Sequence, residues 1–180
     1  MMKNFPKLFI VTLFLISVNF LTAQVLSLDH GKVEFYTSSI LSDIEATSEE
    51  PNVSLDLETG EVEITIAIKS FEFEYEMMQD HFNEEYMESD KFPIAIFVGK
   101  VDSDIRDLSI ETEVGVSGQL TVHGVSKDIK FKATLSKQDG FTKVKCKFPI
   151  VFKDYNIEEP SVLTKSVAKD VEMKSILYLK

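Results

Sequence analysis

Three histidines, one cysteine and thirty carboxylates are the side chains of this sequence best able to carry chemistry. His30, His81 and His123 lie far apart, and none sits with Cys or Glu at a metal-ligand spacing such as H-E-x-x-H. No metal site is therefore expected. His81 falls one position off the apolar stripe of a helical pattern, and His123 sits at a strand end beside Gly124. Cys146 alternates between Val144 and Phe148 on an apolar face. A thiol placed there behaves as a small hydrophobe with a raised pKa and is a poor nucleophile. No G-x-S-x-G elbow, phosphate loop or dinucleotide fingerprint is present. Adjacent pairs such as Glu49-Glu50 and Glu84-Glu85 read as a solvated charged face. The expectation is a protein with no catalytic residues and no cofactor. What the chain does supply is apolar bulk. Ten of the fourteen Phe follow residue 23, and five of the six Met follow Met1, with no Trp. Most such residues fill a core.

The elements that must position those side chains begin after a leader. Lys3 and Lys7 precede an apolar run from Leu8 to Leu21, and Thr22-Ala23-Gln24 places a small residue before a polar one. That layout predicts a secretory signal over 1–23, cleaved after Ala23, and a single domain over 24–180. The apolar run is shorter than the ~20 residues a membrane span requires, so no stable span is expected after cleavage. The net charge of −11 repels phosphate backbones and argues against nucleic-acid binding. A lone cysteine forms no intramolecular bridge, so the exported fold must be stable without one.

Alternation dominates the rest. Val62, Ile64, Ile66 and Ile68 share one face of Glu61–Lys69, and period two with β-branched residues on one side means a half-buried strand. The same pattern predicts a strand over Leu108–Val122 with Ile110, Val114, Val116, Leu120 and Val122 facing in. It recurs at Ile129–Leu135, Val144–Ile150 and Val171–Leu179, and in shorter runs at Val33 and Phe35 and at Val53, Leu55 and Leu57. Glu58-Thr59-Gly60 and Gln138-Asp139-Gly140 supply hairpin turns. Gly115 and Gly118 within a strand predict a bulge or sharp bend. About eight short strands fit an all-β sandwich or closed barrel. Met78, Phe82 and Tyr86 recur every fourth residue and predict one amphipathic helix over 76–88, stopped by Lys91-Phe92-Pro93. A short helix is also expected at 161–168.

Two stretches carry a family resemblance. Met78-Gln79-Asp80-His81-Phe82-Asn83-Glu84-Glu85-Tyr86-Met87, followed by Ser89-Asp90-Lys91-Phe92-Pro93 and Phe97, is similar to a segment of the YceI-like family. There a helix ends in a Lys-aromatic-Pro turn and an aromatic follows on the next strand. Val116-Ser117-Gly118-Gln119-Leu120-Thr121-Val122-His123-Gly124-Val125-Ser126-Lys127 resembles that family's G-x-L-T-h-H-G-V-T/S-K hairpin and is the more specific match. One departure is Phe73-Glu74-Tyr75-Glu76, where family members often show an Arg-Asp pair.

The resemblance implies an eight-stranded antiparallel lipocalin-like β-barrel with a helix near its mouth. It also implies a secreted or periplasmic binding protein that holds a polyisoprenoid or fatty-acyl lipid without catalysis. The alternative is a structural or protein-interaction module whose barrel is filled by its own side chains, and a homodimer is left open. The expected ligand wall is Phe35, Ile66, Ile68, Phe82, Ile96, Val116, Phe131 and Phe148, with Met78 and Tyr86 near the entrance. Parity after Pro93 is ambiguous, because Ile94 and Ile96 oppose Ala95 and Phe97. His123 is expected to hydrogen-bond locally and hold its hairpin.

Overall fold

The computed structural model describes residues 24–38, 43–158 and 170–180. The alternating runs become strands: β1 (Val25–Ser38), β2 (Asp43–Ser48), β3 (Asn52–Asp56), β4 (Glu61–Ala67) and β5 (Glu72–Phe73) precede the helix. β6 (Ile94–Val101), β7 (Thr112–Val122), β8 (Val125–Gln138), β9 (Phe141–Val151) and β10 (Asp170–Leu179) follow it. Every pairing is antiparallel. The ladder runs β1-β3-β4-β6-β7-β8-β9-β10, and β10 pairs back onto β1, so eight strands close a barrel. Closure removes the exposed edges of an open sheet.

β1 joins the two ends of this barrel. Along Leu28–Tyr36 it pairs with β10, while its other edge meets β3 at Val25–Ser27 and β2 at Val33–Ser38. β2 in turn carries the two-residue β5, which leads directly into the helix. The wall at that end is therefore built from β2, β5 and the helix instead of β3. Glu76–His81 forms α1, and Phe82–Tyr86 continues it as a wide π turn, closed by the Met87 N–H donating to the Phe82 carbonyl. A turn wider than 3.6 residues keeps side chains four apart in register on one face. Met78, Phe82 and Tyr86 are spaced in that way. The helical segment ends at Tyr86, two residues before the expected 88.

Three expectations are corrected. Ile110 is 77% exposed, because the chain leaves the strand pattern before β7 begins at Thr112. The loop between β6 and β7 instead turns Ile105 and Leu108 inward, both buried, as a plug for the end of the barrel opposite the helix. Side-chain-to-backbone turns shape this loop. Arg106 N–H donates to Asp104 Oδ1 (3.0 Å), Ser109 N–H to Asp107 Oδ1 (3.0 Å), and Gly115 N–H to Asp102 Oδ1 (2.9 Å). β4 stops at Ala67, and Ile68–Ser70 forms a 3₁₀ turn that leaves Ile68 buried.

No bulge forms at Gly115 or Gly118, whose strand pairs with β8 in unbroken register from Thr112 to Val122. The register shift lies in β1, between Leu28 and His30. Gly118 instead faces Gly99 across the ladder to make room. A Cβ on Gly99 would lie 2.5 Å from Phe97 Cζ, and one on Gly118 would lie 2.8 Å from the same atom. The hairpin expectations at Gly60 and Gly140 agree with their positive φ of 74° and 88°. The helix expected at 161–168 and the leader lie outside the described residues.

Candidate functional site

The core does not fill the barrel evenly. Between the helix and the middle of the barrel lies a cavity of about 360 Å³, within the range of small-molecule sites. Its wall is almost wholly apolar, and eight of the ten Phe that follow residue 23 border it.

The aromatic rings form two groups. At the helix end, Phe35 stacks on Phe82 at 5.3 Å between centroids and meets Phe71 and Phe73 at 5.5 and 5.4 Å. Phe82 also meets Phe73 at 5.0 Å. These rings come from β1, the segment around β5, and the helix, so they close the roof by side-chain contact. Gln79 ties the same elements together. Its amide donates to the Phe71 carbonyl (2.6 Å) and its oxygen accepts from the Phe73 N–H (3.2 Å). Deeper in the barrel, Phe131 stacks on Phe148 at 4.6 Å and meets Phe97 at 5.5 Å. Met77 borders the cavity while 65% exposed, which marks the rim beside the helix.

Below the deeper rings is a second, smaller chamber of about 50 Å³. Ile64, Phe97, Phe131, Cys146, Ser175 and Leu177 border both chambers and therefore form the partition between them. Cys146 and Ser175 are direct cross-strand partners, with Sγ and Oγ 3.0 Å apart, and burial pushes the thiol pKa up. Each satisfies the other's polar atom inside an apolar wall.

Nine of the ten residues expected in the wall border the large chamber: Phe35, Ile66, Ile68, Met78, Phe82, Tyr86, Ile96, Phe131 and Phe148. Val116 borders only the small one. Ile96 reaches the chamber from a strand whose inward side chains are Ala95 and Phe97. The ladder resolves the parity, since Phe97 pairs with Ile64 on one side and Leu120 on the other, both apolar and facing in. Ile94 and Val98, on the same side of β6 as Ile96, are exposed. Sequence reading missed Phe71, Phe73, Met87, Phe97 and Phe152. Alternation of Phe71 and Phe73 with Glu72 and Glu74 was the available signal for the first two.

His123 lies outside the cavity. Its Nε2 is 3.0 Å from Glu88 Oε2 and its Nδ1 is 3.3 Å from the Tyr155 carbonyl. The ring packs on Phe92 at 4.3 Å. These partners are 31 to 35 residues away in sequence, so the histidine fastens its hairpin to the helix exit and to the 3₁₀ turn at Phe152–Tyr155. The expectation of a purely local bond is corrected to this extent. Gly124 takes φ +72°, and a Cβ there would lie 2.6 Å from Phe92 Cε1. The Lys91-Phe92-Pro93 and His123-Gly124 segments are thus two halves of one contact. Among the described residues, no cluster of three or more His, Cys, Asp or Glu could hold a metal ion. No described helix is long and apolar enough to cross a membrane.

A closed antiparallel barrel with an apolar hollow beneath a helix defines a small lipocalin-like barrel protein. The YceI-like domain matches residues 24–177, and the chain belongs to that family. Among solved structures it is similar to a polyisoprenoid-binding domain from Saccharophagus degradans implicated in plant cell wall breakdown. The TM-score is 0.76 at 16% identity, covering 86% of this chain and 97% of that one. It is also similar to BcnA of Burkholderia cenocepacia, with a TM-score of 0.70 at 20% identity over 82% of this chain and 95% of that one. A YceI protein of Campylobacter jejuni gives a TM-score of 0.51 at 19% identity over 73% and 81%. No curated protein sequence matches the chain.

Proposed function

We infer that this chain is an exported, non-catalytic carrier that holds the apolar tail of an amphiphilic lipid, isoprenoid or fatty-acyl, inside the large chamber. The observation that carries this reading is the 360 Å³ hollow with its nearly continuous apolar wall. A hollow that its own side chains leave unfilled forfeits packing contacts, and an apolar chain restores them. Each buried methylene contributes about 0.8 kcal/mol, so ten would supply roughly 8 kcal/mol, near micromolar affinity before ordering costs. The family membership and the Saccharophagus neighbour's polyisoprenoid ligand favour the same class of tail.

The wall offers little for a reaction. Cys146, held as a neutral thiol by burial, is partnered by a hydroxyl and not by a base. The export part of this reading is supported by the basic start, apolar run and small residue over 1–23, with cleavage after Ala23 and the periplasm or the cell exterior as the proposed destination. Native mass spectrometry of protein purified from its host, before and after solvent extraction, tests the carrier reading. A carried lipid appears as extra mass that extraction removes. Identical masses in both samples, with no uptake of added lipid by the extracted protein, would overturn it.

A further inference from the structure

The barrel is not one continuous tube. Six side chains from five strands border both chambers midway, and two of them, Phe97 and Phe131, form a tilted pair with ring centroids 5.5 Å apart. Neither ring is free to fall aside. Phe131 is held by its stack on Phe148. Phe97 lies in a notch opened by the paired Gly99 and Gly118, where any Cβ would collide with its ring. Two glycines facing each other within a barrel strand pair weaken the ladder, and here they seat the ring that blocks the tube.

We propose that this partition gauges the length of the bound tail, with Phe97 and Phe131 as the residues that determine specificity. The proposal rests on the reading of the large chamber as a lipid site. A methylene takes up roughly the ~30 Å³ that a water occupies in the liquid, so the large chamber holds about a dozen carbons. Carbons beyond that number stay at the rim beside Met77, in contact with water. The small chamber of about 50 Å³ is reached only when the partition is removed. A polyisoprenoid would accordingly be gripped by its terminal two or three isoprene units and not swallowed whole.

Linear primary alcohols from C8 to C20, competing with the uncharged dye N-phenyl-1-naphthylamine, read this directly and avoid repulsion by the acidic surface. In the unaltered protein, affinity rises about fourfold per added carbon and levels off near C12. In Phe131→Ala and Phe97→Ala the rise continues for about four further carbons, because the lost ring and the small chamber become available. Lys132→Ala, on the outer face of β8, leaves the break where it was. A steady rise past C16 in the unaltered protein overturns the gauge, and that measurement needs no variant to fold. So does an unmoved break in both Phe variants, with Phe131→Leu as the milder replacement if alanine prevents folding. If neither dye nor any alcohol binds the unaltered protein, the lipid-site reading falls instead.

Discussion

The two ends of this barrel share strands and alternation, yet one is hollow and the other nearly filled. At the filled end Ile105, Leu135, Leu177 and Leu179 are each 1% exposed, and a loop is folded in against them. Aliphatic side chains of moderate size take up most of the space there and leave a chamber of only about 50 Å³. At the hollow end, long aromatic side chains from β1, the segment around β5 and the helix meet one another as a roof, with the large chamber beneath them. The difference teaches that a barrel's stability and its capacity can be assigned to separate segments of the same strands. Changes at one end should register as lost folding free energy, and changes at the other as lost binding.

The largest expected effect comes from placing charge in the hollow. Phe131→Glu or Ile66→Glu should abolish lipid uptake, since a buried unpaired carboxylate costs several kcal/mol. Lys132→Glu, on the outer face of β8, should leave uptake intact. Dye displacement, with circular dichroism to confirm folding, makes the comparison, and equal uptake by all three variants would erase the distinction between the ends. Next, Ile105→Ala should cost about 2–5 kcal/mol in urea denaturation while affinity per folded molecule is unchanged. A comparable loss of affinity would mean that the ends are coupled.

His123→Ala should lower stability by roughly 1–2 kcal/mol by removing the contacts to Glu88 and the Tyr155 carbonyl. Affinity should again be spared, whereas weaker binding with an unchanged Tm would place the histidine in the site. The smallest effect concerns the plug loop. The Arg106 guanidinium and the Arg106 backbone N–H hold the Asp104 carboxyl below the usual carboxylate range. A depressed folded-state pKa contributes stability above the unfolded value of about 4 and loses it as pH falls toward the folded one. Asp104→Asn should therefore lower Tm slightly at pH 6, and the gap to the unaltered protein should close as pH falls below about 4. A gap that stays constant with pH would show that the carboxyl's charge contributes nothing.

Legibility followed periodicity. β4, β8, β9 and β10 were readable because alternation with β-branched residues is a strong local signal, and Met78, Phe82 and Tyr86 marked the helix face for the same reason. Ile105 and Leu108 carried no such signal. They sit among Asp, Ser and Arg in a loop whose shape depends on side-chain-to-backbone bonds, so the strand expected from Leu108 ran on too early and took Ile110 with it. The parity of Ile96 and Phe97 could be settled only by cross-strand partners, which alternation within one segment does not reveal. Gly118 looked like a bend because a glycine's local preferences are visible in sequence, whereas a ring arriving from the neighbouring strand is not.

The position of Cys146 has a practical outcome. The single thiol of the chain stands at the inner boundary of the large chamber, on the partition it shares with the small one. A lipid held in the large chamber as proposed would lie against this thiol, which would then report occupancy without any substitution. The thiol's slow labelling by a small uncharged alkylating reagent should slow further when the space above it is taken, and should speed up when the rim is loosened.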